Sequence, residues 1–99
     1  MEANMTKNDK ELIVAVDGRL DTMTSPELED KLMPVLDEID RLVFDFEKLE
    51  YVSSAGLRVL MSAFKEVKGK GGSVVIRNIT PKVEEVFIVT GLINGFDFE

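Results

Sequence analysis

The stretch Tyr51 to Leu60, YVSSAGLRVL, joins an apolar pair to two serines, a glycine and the start of an apolar helix. From Ser54 onward, Leu57, Leu60, Met61, Phe64 and Val67 recur at helical spacing, and Lys65 and Lys68 stand in the last turns before Gly69. This pattern predicts an amphipathic helix over Ser54 to Lys68, its basic residues placed at the negative end of the dipole. Ser53 or Ser54 is the predicted N-cap, whose oxygen would accept a free first-turn N–H at a gain of about 1 kcal/mol. One cap needs one serine, and neither has the Glu or Gln three residues on that completes a capping box. Gly56, inside the first turn, costs about 1 kcal/mol relative to alanine, which points to something approaching the backbone closely there. A phosphate on either serine would meet free N–H groups and a positive dipole end. Such a group adds about −1.5 to −2 charges near Asp21 and Glu50 and would change which partner can dock.

Outward from this stretch, the chain alternates strand and helix signals. ELIVAVDG (Glu11 to Gly18) is β-branched and ends in a turn dipeptide, which predicts a buried strand. Met1 to Lys7 is predicted to pair with it as an edge strand, through a turn at Asn8-Asp9. TSPELEDKLMPVLDEID offers Thr24 or Ser25 as N-cap, Pro26 early in the helix, and an apolar stripe at Leu28, Leu32, Val35, Leu36 and Ile39. It predicts a helix kinked at Pro34. LVFDFE sets Leu42, Phe44 and Phe46 against Val43 and Asp45, which predicts a strand with one buried face. After GKGG come a strand at SVVIRN, a helix opening at Thr80-Pro81 and closing at Gly91, and a C-terminal strand or irregular tail. The order (β)βαβαβα(β) implies right-handed crossovers into a sheet that is at least partly parallel.

Composition narrows the function. Ninety-nine residues with 44% hydrophobic content suit one domain over residues 1–99. The formal net charge of −7 argues against nucleic acid and anionic membrane as partners. Without cysteine or histidine the chain has no thiolate nucleophile, no zinc-type ligand set and no imidazole base, so no catalytic residue, metal or cofactor is assigned. No apolar run is long enough to span a bilayer, and the N-terminus has no signal-type core, so a cytoplasmic protein is expected. The glycines 69, 71 and 72 follow a helix instead of preceding one, which makes them a turn and no phosphate cradle. Asp37, Glu38 and Asp40 read as a solvated helix end. Asp17, Asp21, Asp45, Glu47 and Glu50 lie near the strand ends where α/β sheets bind ligands.

YVSSAGLRVLMSAFKEVKGKGGSVVIRNITPKVEEVFIVTGL resembles the STAS domain family, in particular the bacterial anti-sigma factor antagonists. VDGRLDTMTSPEL resembles the family's Gly-x-Leu-Asp segment, and TGLINGFDFE its Gly-Leu ending. The resemblance implies an α/β fold: a single STAS-like domain with a mixed four- to five-stranded sheet and about three helices packed mainly on one face. Aligned on Gly56-Leu57, the family's phosphoserine falls on Ser54. The aspartate usual before that serine is Ser53 here, and Ala55 replaces the hydroxyl after it, so Ser53 is the alternative acceptor. Asp21, Ser53, Ser54, Gly56 and Leu57 are the implied partner-binding residues. The implied partners are an anti-sigma factor that is also a serine kinase, and a phosphatase acting on the phosphorylated form. The implied protein is a monomeric switch and not an enzyme. A constitutive STAS scaffold module in a signalling or transport complex, without phosphorylation, is the alternative.

Overall fold

The computed structural model describes every residue, Met1 to Glu99. The chain runs β1 (Glu2–Asn8), β2 (Glu11–Leu20), α1 (Ser25–Leu32), β3 (Arg41–Asp45), β4 (Leu49–Val52), α2 (Ser54–Gly69), β5 (Ser73–Arg77), α3 (Pro81–Thr90) and β6 (Asp97–Phe98). Short 3-10 segments occupy Met33–Glu38 and Leu92–Asn94. β1 and β2 form the predicted antiparallel hairpin, with Asn8 opposite Glu11. Its turn places Asp9 at φ 56, a left-handed conformation that aspartate tolerates.

Every other pairing is parallel, in the order β1-β2-β3-β5-β6 with β4 beside β2. Parallel neighbours need crossovers, and the helices supply them. The sheet has six strands, one more than the sequence order contains. The extra strand is β4, whose four residues LEYV show no alternation of apolar and polar. It exists because β2 outlasts β3: a register shift between Gly18 and Arg19 lets the end of β2 change neighbours, pairing Arg19 with Tyr51 and Leu20 with Val52.

Pro34 does more than kink the first helix. It lacks the N–H that an α-helix would use at that position, so α1 stops at Leu32 and the chain continues in the tighter 3-10 form. The apolar stripe persists through the change, since Leu28, Leu32, Leu36 and Ile39 are all buried. The turn at 69–72 is equally local in cause. A side chain at Gly72 would lie 2.5 Å from the carbonyl oxygen of Asp40, so only glycine lets α2 end against the start of β3.

Leu12, Val14, Val16 and Leu20 of β2, Leu42 and Phe44 of β3, and Val74 and Ile76 of β5 lie on one sheet face, in one cluster with residues from all three helices. β3 departs from expectation in one respect, because Val43 on the opposite face is also fully buried. It lies in register between Ile13 and Val75, and an ion-pair network flanks it on the same face. There Arg41 bonds Glu11 and Glu99, each at 2.9 Å, and Arg77 bonds Glu99 at 3.1 Å. The stems of these long side chains shield apolar surface while their heads stay in water.

Candidate functional site

The β2–α1 loop and the β4–α2 junction meet at one end of the sheet. The Ser53 N–H donates to the Leu20 carbonyl at 2.9 Å, which places Asp21 next to the start of α2. Ser53 has the extended backbone of an N-cap, φ −90 and ψ 175, and its Oγ accepts from the Gly56 N–H at 3.1 Å. Its carbonyl accepts from Leu57 N–H at 2.9 Å. The cap is therefore Ser53, and Ser54 is the first residue of the helix. Ser54 is exposed and its hydroxyl takes no part in the cap, while Ser53 is half-buried with its oxygen engaged.

Gly56 and Leu57 face inward. Leu57 is only 8% exposed and belongs to the core. A Cβ at Gly56 would lie 2.7 Å from the Leu20 carbonyl oxygen and 2.9 Å from both Leu20 Cγ and Val52 Cγ2. The close approach that Gly56 signals is thus internal: it lets α2 start directly on the β2–β4 pair. These two residues set where the first turn stands: Gly56 has no side chain and that of Leu57 is packed into the core.

Asp21 organises the neighbouring loop. Its Oδ1 accepts from the Thr24 N–H at 3.1 Å and the Met23 N–H at 3.0 Å. The Thr24 N–H, joined by the Thr24 hydroxyl, the Met23 N–H and Arg19 at 3.8 Å, holds the Asp21 carboxyl below the usual carboxylate range against a smaller opposing effect of desolvation. Thr24 stands at the α1 N-cap without making a side-chain cap; its hydroxyl donates to the Arg19 carbonyl and accepts from the Asp21 N–H. Asp21 is an ionised, half-buried loop clamp beside the serines.

Four residues that sequence reasoning did not single out complete this end. The Arg19 guanidinium carbon lies 4.3 Å from the Tyr51 ring centroid, and Tyr51 is itself partly exposed. Met23 is 83% exposed at the tip of the loop. Arg58, exposed on α2, lines a shallow groove between α1 and α2 with Ser25, Pro26, Glu29, Ala55 and Ser62. Helical spacing from Ser54 could have found Arg58. Arg19 and Tyr51 could not be paired without the shifted β2–β4 register. The remaining strand-end carboxylates lie elsewhere: Asp17, Asp45 and Glu47 share a cleft with Asn4 and Lys48 on the other face of the sheet. Asp45 there binds the Glu47 N–H and the Asn78 amide.

Residues 2–99 match the STAS domain. The chain is 34% identical over 97 residues to BtrV of Bordetella bronchiseptica, named as an anti-sigma factor antagonist, covering 97% of this chain and 84% of that one. It is 29% identical over 92 residues to the anti-sigma-B factor antagonist of Bacillus subtilis, covering 93% and 84%. Among solved structures, the Bacillus cell fate determinant SpoIIAA in its phosphorylated form superposes with a TM-score of 0.80 at 17% identity, over 99% of this chain and 91% of that one. With a parallel-sheet core that matches a known fold and a family match across nearly all its length, the chain belongs to the STAS domain family.

Proposed function

We propose that this chain is an anti-sigma factor antagonist whose binding to an anti-sigma factor kinase is ended by phosphorylation of Ser54. The observation that carries the reading is the division of labour between the two serines. Ser53 is occupied as the N-cap, whereas Ser54 presents an exposed, uncommitted hydroxyl at the first position of α2. A phosphate there faces the positive end of the helix and the first-turn N–H groups that lack intrahelical acceptors, so the fold tolerates it. Two further charges near Asp21 would oppose a partner surface that meets a neutral serine. The relatives' names supply the partner class, and SpoIIAA, which shares the fold, has a phosphorylated form. In this reading the chain is a kinase substrate and a switch. A phosphatase restores the binding form, and the protein acts as a cytoplasmic monomer. Asp21 and Ser54 belong to the docking rim, and Ser53, Gly56 and Leu57 position it.

The test is incubation with the cognate kinase and Mg-ATP followed by mass spectrometry, with calorimetric titration of the product. One phosphate at Ser54 and loss of binding are expected, and Ser54→Ala should bind persistently. Modification confined to Ser53 would reassign the acceptor. Tight binding by the phosphorylated chain would overturn the switch and leave a constitutive scaffold.

A further inference from the structure

Arg58 lies four residues after Ser54 on α2, one turn along the same side of the helix. Side chains on a helix lean toward its N-terminus, and this exposed side chain is free to swing its guanidinium back over the first turn. Arg58 is exposed and forms no ion pair, unlike Arg19, Arg41 and Arg77. Its own helix offers nothing else to pair with: at the contact spacings stand Ser54, Ala55, Met61 and Ser62, and α2 has no acidic residue in its first turn. A cation this close to the positive end of a helix is unfavourably placed on its own. Across the groove Glu29 of α1 is the one other charged lining group, and it forms no ion pair with Arg58. The other charged groups around the junction are Arg19 and Asp21, which already face each other at 3.8 Å; Glu50 of β4 lies with Met1, Glu2, Asp17 and Lys48.

We infer that Arg58 is the intramolecular partner of the phosphoryl group on Ser54, holding it against the first turn of α2. The inference rests on Ser54 being the phosphorylated residue. A guanidinium meets phosphate oxygens through two parallel N–H bonds, and pairing at this spacing needs no backbone movement. Phosphorylation then does more than add charge. It also takes the one free arginine of this end out of reach of a docking partner, so the surface loses a cation as it gains a dianion.

The test installs phosphoserine at position 54 of the full chain during synthesis, so no kinase is required, and follows the second phosphate ionisation by phosphorus NMR against pH. That ionisation falls near pH 6. Arg58→Gln should raise the pKa by about 0.3 relative to the otherwise unchanged phosphorylated chain, the size expected of a helical i,i+4 pair. Arg58→Lys should retain part of the effect, and about 1 M salt should erase the difference. A purely structural arginine would not move this titration. Equal pKa values in the two folded chains would overturn the inference without touching the assignment of Ser54. A kinase that leaves Ser54 unmodified would remove that assignment while leaving the measured pairing intact.

Discussion

Gly56→Ala separates local preference from tertiary contact, because the two predict opposite signs. Helix propensity alone favours alanine by up to about 1 kcal/mol, and less near the helix end. The structure opposes it. The added methyl would stand 2.7 Å from the Leu20 carbonyl oxygen and 2.9 Å from Leu20 Cγ and Val52 Cγ2. The carbonyl cannot swing aside, since it accepts the Ser53 N–H at 2.9 Å and Leu20 is paired with Val52 in the β2–β4 ladder. Relief therefore requires lifting the first turn of α2, which loosens the Ser53 cap and the burial of Leu57 and Leu60. Overpacking of this kind costs about 1 to 3 kcal/mol, and immobile backbone puts this site at the upper end. Subtracting the propensity gain leaves a net loss of about 2 kcal/mol, which lowers Tm by about 8 to 16 °C in a domain of this size. Urea titration and thermal melts monitored by circular dichroism measure it, with an unchanged m-value expected. A Gly56→Ala chain as stable as the parent, or more so, would refute the packing argument. It would restore the idea that glycine is there for an external partner. Gly56→Arg, which a purely surface role would tolerate, should fail to fold.

Ser53→Ala should lose about 1 kcal/mol with the cap, whereas Ser54→Ala should stay within about 0.5 kcal/mol of the parent; equal losses in paired melts would contradict the assignment of the cap to Ser53. Stability should also fall in acid through Glu99 and Asp21. Arg77, then Arg41, hold the Glu99 carboxyl below its ordinary 4.5 against desolvation, and the Asp21 carboxyl lies below its ordinary 3.8. Depressed folded-state values mean that this stabilisation is complete above about pH 4.5 and is lost as pH drops through the lower folded values. Glu99→Gln should flatten the pH dependence of the urea midpoint between pH 5 and 3, and a curve parallel to the parent's would show that the ion pairs on the open sheet face contribute nothing.

The element order was legible in the sequence because it rests on local signals. Periods of two and 3.6 separate strands from helices, Asp9 marks the hairpin turn, and Gly91, at φ 79, closes α3 where the apolar stripe ends. The serine turn before Leu57 was likewise legible as the place of interest. Tertiary structure decided the rest. β4 carries no period of its own and is a strand because β2 has an edge to offer after Gly18. Val43, fully buried, is flanked by ion pairs that join Glu11, Arg41, Arg77 and Glu99 across up to 58 positions of chain, and no local pattern encodes them. Which serine caps α2 depends on backbone angles that the β2–β4 register imposes, with Leu20 holding the Ser53 N–H. The reason for Gly56 lies in Leu20 and Val52, one of them 36 residues away. Propensities and periods act over one or two turns of chain, whereas a cap's identity and a glycine's necessity are set by whatever the fold brings against them.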